Sequence, residues 1–249
     1  MADIKTVEIS NLSKKFDDMI VLDKISVSVN EGKNLVVFGR SGSGKSVLLK
    51  CIIGLFKPDE GEIFINGTDA VNLSPKLLNE LRKQIGFLFQ GGALYDSMSV
   101  RENLEFPLRR HFHFTENELK EKVMNTLELV GLAEAADKMP SDLSGGMKKR
   151  IGLARSIITD PKIMLYDEPT TGLDPLTSKE ISVLIRDLQR KLKMTSIVVT
   201  HDLICANIIA DTAIFLKDGK VKYSGTINEL TDSKDLFLRN FFSYELVNS

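Results

Sequence analysis

The chain has little of what marks several protein classes. Cysteine occurs only at Cys51 and Cys205, which leaves no disulfide framework and points to a reducing compartment. Long apolar runs are missing as well. The most apolar stretch, Val47 to Phe56, is interrupted by Lys50 and Gly54 and falls short of the roughly 20 residues that a membrane-spanning helix needs. The opening residues are acidic by the third position and have no apolar signal core, so the expected location is cytoplasmic. Neither sign of charge dominates: 33 Lys+Arg stand against 34 Asp+Glu, a net charge of −1, and no nucleic-acid partner is expected from so small a balance. Low-complexity segments, sustained heptads and clear internal repeats are also lacking. What is present is 249 residues, 43% hydrophobic and 27% charged, enough for one compact domain or two small ones and too apolar for disorder.

The periodicity alternates between strand and helix throughout. Ile25 to Val29 alternates apolar and polar residues, as a half-exposed strand does, and leads through Glu31-Gly32 into the fully apolar Leu35-Val36-Val37-Phe38. A helix is predicted from near Lys45 to Gly54, then a turn at Pro58 to Gly61, a strand over Glu62 to Ile65 and an Asn66-Gly67 turn. Ser99…Glu102 and Thr115…Glu118 have capping-box spacing, so each opens a helix; Pro107 is predicted to bend or end the first, and Gly131 to cap the second. Ile163 to Asp167 and Ser196 to Thr200 read as buried strands around a long helix that starts after Asp174-Pro175. Strand, helix and strand in that order imply a parallel sheet, and Asp218-Gly219 marks a hairpin near the end.

Gly39-Arg40-Ser41-Gly42-Ser43-Gly44-Lys45-Ser46 fits G-x-x-x-x-G-K-[ST] between a buried strand and a helix. Its glycines let backbone amides approach phosphate oxygens, the helix N-terminus adds a positive field, Lys45 supplies a charge for the β/γ-phosphates, and Ser46 is a Mg²⁺ ligand. The strand Ile163 to Asp167 ends in Asp167-Glu168. Asp167 is suited to the Mg²⁺ shell and Glu168 to orienting or deprotonating a water that attacks the γ-phosphate. Gln90 and His201 also stand just past apolar strands. Ligands of open α/β sheets bind outside the carboxyl ends of the strands, so these four positions argue for one site.

Leu143-Ser144-Gly145-Gly146 opens another helix, with Ser144 as its N-cap. Together with the order of the other motifs, it resembles the signature of ABC-type ATPases, and the resemblance covers nearly the whole chain. It implies an α/β fold: a P-loop NTPase core with a mixed sheet, an N-terminal antiparallel β region, and a helical subdomain over roughly 72–159 inserted into a single nucleotide-binding domain, 1–249. It further implies ATP and Mg²⁺ as cofactors, and an ATP-bound homodimer in which Ser144, Gly145 and Gly146 of one chain cover the γ-phosphate held by the other. By resemblance, Phe16 stacks on adenine, Gln90 sits near Mg²⁺, Glu168 is the catalytic carboxylate, His201 is the switch histidine and Asp174 is the aspartate of Gly172-Leu173-Asp174. Two departures stand out. Phe16 replaces a common tyrosine, keeping a stacking face without the hydroxyl, and Met147 replaces a common glutamine.

The stretch from Gln90 to Asn103 and on to Arg109 is similar to the ATPase of Mla-type phospholipid transport systems, as is Leu-Ser-Gly-Gly-Met. The implied partners are separate transmembrane permease subunits and a lipid-binding Mce-type component, with the chain peripheral at the cytoplasmic face of the inner membrane. The alternatives are a regulatory ABC ATPase acting on a cell-division or repair partner, and the ATPase of a lipoprotein-release system. Elsewhere the plainer readings hold. Leu238, Phe241, Phe242 and Glu245 make one packed helix face plus solvent, Lys148-Lys149-Arg150 is a solvated face, and His111 and His113 lack partners at zinc-ligand spacing.

Overall fold

The computed structural model describes residues 4–248, with side chains through Ser243. Its first layer is antiparallel. Strand β1 (Lys5–Phe16) pairs with β2 (Met19–Asn30) on one side and β4 (Glu60–Ile65) on the other, and the two-residue β5 (Thr68–Asp69) completes the order β2-β1-β4-β5. The second layer holds β3 (Asn34–Phe38), β6 (Ile85–Leu88), β7 (Ile163–Asp167), β8 (Thr195–Val199), β9 (Thr212–Lys217) and β10 (Lys220–Gly225) in the order β10-β9-β3-β8-β7-β6. All its pairings are parallel except the terminal β9–β10 hairpin, which turns at Asp218-Gly219 as expected. This is the mixed α/β architecture expected from the sequence.

The central strands carry apolar residues at every position because both faces of the sheet are covered. Side chains alternate sides along a strand, so Leu35 and Val37 enter one core while Val36 and Phe38 enter another. The first core also takes Leu48, Leu49 and Ile52 of α1 (Lys45–Ile52) and the inner face of the antiparallel sheet. The second collects α3 (Val100–His111), α4 (Glu116–Leu129), α5 (Gly145–Ile157), α6 (Pro175–Leu192), α7 (Leu203–Ile209), α8 (Ile227–Thr231) and the start of α9 (Leu236–Asn248). Between 72 and 159 lie α2 (Pro75–Arg82), β6 and the mutually packed α3, α4 and α5; β6 belongs to the six-stranded sheet, as its edge.

Both capping boxes form, with Glu102 accepting from the Ser99 amide and Glu118 from the Thr115 amide, each at 2.7 Å. Pro107 does not end its helix. Proline removes one backbone donor, but Leu104 and Leu108 on either side are fully buried, and that packing carries α3 on to His111. Leu238, Phe241 and Phe242 do form a packed face, meeting Phe38 and Phe215 edge-on, with ring centroids 4.8 Å apart for Phe215–Phe241. Glu245 lies outside the residues whose side chains are described. Both cysteines are free and buried, and burial pushes their thiols up to about 11 at Cys51 and about 12 at Cys205, so neither is a ready nucleophile. Among the described residues, no helix is long and apolar enough to cross a membrane.

Candidate nucleotide site

The site is assembled at the carboxyl ends of β3, β6, β7 and β8. Residues 39–46 connect β3 to α1 in a turn that tolerates no side chain at its first residue: a Cβ on Gly39 would lie 2.4 Å from Ser43 Oγ and 2.6 Å from the Leu216 carbonyl oxygen. Gly44 precedes α1 in the left-handed region, at φ 98°. Lys45 then folds back across the loop. Its Nζ donates to the carbonyls of Gly39 at 2.7 Å and Arg40 at 3.2 Å, and approaches Glu168 Oε1 at 3.5 Å. The lysine charge is thus nearly enclosed and aimed at the space the loop encircles.

β7 delivers the two carboxylates. Asp167 Oδ1 accepts from Ser46 Oγ at 2.8 Å, and burial raises its pKa against that bond, with the neighbouring Glu168 charge adding to the rise. Glu168 sits in the left-handed region at φ 49°, with its N–H on the Val199 carbonyl at 2.9 Å. Its Oε2 pairs with His201 Nδ1 at 2.9 Å. Burial works to raise the Glu168 pKa, but the His201 bond and the His201 and Lys45 charges outweigh it and hold the carboxyl below its usual range.

These groups surround a cavity of about 870 Å³, lined by Phe16, Arg40 to Ser46, Gln90, Glu168 and His201. That size suits a drug-sized or cofactor-sized ligand. Two buried hydroxyls on its wall, Ser43 Oγ and Thr171 Oγ1, have no partner within the protein, so they are donors available to an anionic ligand. The oxygens of Ser46 and Asp167 are the hard donors that Mg²⁺ prefers. Among the described residues no cluster of three or more His, Cys, Asp or Glu side chains is arranged to hold a metal.

Four predicted site residues lie elsewhere. Ser144 caps α5 by accepting from the Met147 amide at 3.3 Å, and Asp174 caps α6 by accepting from Leu176 and Thr177 at 3.1 and 3.0 Å. The two turns adjoin each other, since a Cβ on Gly145 would lie 3.7 Å from Leu173 and one on Gly146 would lie 2.8 Å from Thr177. None of Ser144, Gly145, Gly146 and Asp174 lines the cavity of its own chain. Conversely, the sequence reading missed Met19, Val21, Val47, Thr171, Asn240 and Phe241, which do line it. Asn240 and Phe241 arrive only because α9 folds back over the loop end of β3, which no local pattern encodes.

Residues 22–171 match the family model described as ABC transporter. The chain belongs to the ABC transporter family. As a member it is an ATP-hydrolysing subunit of a transporter. Across 96% of its length it is 44% identical to the intermembrane phospholipid transport system ATP-binding protein MlaF of Haemophilus influenzae, covering 90% of that protein. It is 39% identical, over 96% of its length, to the probable ribonucleotide transport ATP-binding protein mkl of Mycobacterium tuberculosis, of which it spans 66%. Among solved structures, the ATP-binding cassette MJ0796, described as a post-hydrolysis dimer bound to ADP and Pi, superposes with a TM-score of 0.81 at 32% identity, covering 89% of this chain and 98% of the other.

Proposed function

We propose that this ABC ATPase uses MgATP hydrolysis to drive phospholipid movement through separate membrane-spanning permease subunits, working with a lipid-binding Mce-type component. Held by those partners, it is peripheral at the cytoplasmic face of the inner membrane. The observation that carries the choice of phospholipid is the 44% identity to a phospholipid-system ATPase across 96% of the chain.

The hydrolytic roles follow from charge and reach. Phe16, at the cavity wall, offers a face for adenine. The amides of residues 39–46 and the Lys45 ammonium cradle the phosphates. Ser46 and Asp167, with Gln90 nearby, would hold Mg²⁺, which when bound neutralises phosphate charge. Glu168 is ionised in the physiological range and is kept in place by His201 and Lys45, so it can orient a water and take its proton. His201 then stands beside the transferring phosphoryl group.

Two chains act as a head-to-tail homodimer. This is supported by the position of Ser144 to Gly146 and Asp174 on adjoining turns outside their own chain's cavity, where they are free to meet nucleotide bound by a partner. The chain is one nucleotide-binding domain, 1–249, whose inserted helical part falls within 72–159.

Co-purification with the native membrane partners tests the substrate. Mass spectrometry is expected to find bound phospholipid, and phospholipid is expected to stimulate hydrolysis by the complex in nanodiscs. The relative named for ribonucleotide transport supplies the competing outcome: bound ribonucleotide, with hydrolysis indifferent to lipid, would overturn the proposal.

A further inference from the structure

Lys148-Lys149-Arg150 is not one solvated face. Lys148 is exposed, and Arg150 reaches the Val130 carbonyl at 3.2 Å and Glu180 at 3.0 Å, but Lys149 between them is only 7% exposed. Desolvating an ammonium is costly unless its protons are taken up. Lys149 Nζ donates to two backbone carbonyls, those of Gln90 and, at 3.4 Å, Glu168. Both acceptors belong to residues that line the cavity, and they follow different strands of the sheet, β6 and β7. Burial holds the lysine pKa below its ordinary range, opposed by the negative charges of Glu168 and Asp167.

Glu168 is the more demanding of the two partners. A left-handed conformation is unfavourable for a non-glycine residue, so φ 49° persists only where surrounding bonds hold it. Its N–H is held by Val199, and its carbonyl by the Thr171 amide at 3.3 Å together with Lys149. Gln90 is fastened through a wider contact. Lys149, Gly152 and Arg155 recur at three-residue spacing and form one stripe of α5. Gly152 lets the helix close on the Gly92 backbone, where a Cβ would come within 3.0 Å of the carbonyl oxygen. Arg155 donates to the Ala93 carbonyl and lies 4.6 Å from the Tyr95 ring centroid. The helix that begins at Ser144 therefore grips the Gln90 loop along its length, and Lys149 alone also reaches Glu168.

We propose that Lys149 is a positioning residue for hydrolysis, a strut on α5 that sets the backbones of Gln90 and Glu168 relative to each other. The proposal rests on the reading that Glu168 activates the attacking water. Lys149 does not line the cavity; it acts through Gln90 and Glu168, which do. Its effect therefore falls on kcat while nucleotide binding is spared.

The test is steady-state hydrolysis and fluorescent-ATP binding by the assembled transporter, comparing wild type, K149M, K149R and E168Q. Methionine keeps the length of the side chain and removes its donors. K149M is expected to bind nucleotide within threefold of wild type while kcat falls about 10²-fold, the scale expected when reacting groups shift by about an ångström. K149R, with donors for both carbonyls, is expected to stay within threefold of wild type in both measures. Should K149M not assemble, K149L, which likewise has no donor, carries the same comparison. A wild-type kcat in the methionine variant, equal losses in K149M and K149R, or parallel loss of affinity and kcat would each overturn the strut. E168Q separates the two readings. If it hydrolyses ATP at the wild-type rate, the assignment of Glu168 fails; if it is inactive while K149M is normal, only the strut fails.

Discussion

Replacing Glu168 with glutamine tests the centre of the site. The substitution keeps the size of the side chain and removes its charge and its basicity. Three neighbours feel the change: Lys45 at 3.5 Å, His201 at 2.9 Å, and Asp167, whose own acidity the glutamate disfavours. At 3.5 Å and an effective dielectric of about 20, the Lys45–Glu168 attraction is about 5 kcal/mol. Much of it is offset by the cost of keeping a carboxylate in so enclosed a place, where its side chain is only 12% exposed. Lys45 also retains its bonds to the Gly39 and Arg40 carbonyls, so the loop is not left with an unpaired cation. Losing a negative charge beside a triphosphate favours binding. E168Q is therefore expected to fold and to bind MgATP at least as tightly as wild type. Losing a general base costs about 10²–10⁴ in rate, which at about 1.36 kcal/mol per tenfold raises the barrier by about 2.7–5.4 kcal/mol. With turnover stopped, MgATP should accumulate a dimer, read by size-exclusion chromatography alongside single-turnover hydrolysis. A variant that keeps more than a tenth of wild-type kcat would refute the base assignment, and one that stays monomeric when saturated with MgATP would refute the shared-site dimer.

Three further predictions follow from the same geometry. Gly39→Ala puts a methyl group against the Leu216 carbonyl and Ser43, so the affinity for a fluorescent ATP analogue should fall at least tenfold; unchanged affinity would show that the loop has slack. In a background of Glu168→Gln, Lys45→Ala and Gly146→Glu should each weaken MgATP-dependent homodimers, while their mixture restores one sound site. A two-colour pull-down should therefore recover more heterodimer than either homodimer, and no rescue between folded variants would mean that the site lies within one chain. Because a Cβ at Gly146 already meets Thr177 of the same chain, thermal melting of Gly146→Glu alone is the folding control. Finally, Tyr95 is 41% exposed and Leu94 is only partly buried in the loop after Gln90, so changing both to Asp should abolish partner-stimulated hydrolysis more than basal hydrolysis, whereas equal losses would point to local misfolding.

Much of the site could be read directly because its demands are short-range. A glycine loop between strand and helix, a hydroxyl three residues before a glutamate, and an Asp-Gly pair between two strands each answer a local need of φ, ψ or an unpaired amide. Such needs are met within a few residues, and the phosphate loop, both capping boxes and the β9–β10 hairpin formed where the pattern called for them. The buried strands were equally legible, since an unbroken apolar run has few places to go other than a sheet covered on both faces. Helix α2 had a local signal as well, Ser74 followed by Pro75 at the first helical position, but the sequence reading passed over it. The misreadings share a different cause. Pro107 does not end the helix, which the packing of Leu104 and Leu108 carries through, and Lys149 looked solvated until the loop after β6 and the turn after β7 closed over it. Phe241 lines the cavity from nearly the far end of the chain, and Ser144 to Gly146 lie outside the lining of the cavity their own chain encloses. Burial and convergence depend on which faces pack together across long separations in the chain, and that free energy belongs to the assembled core rather than to any window of sequence.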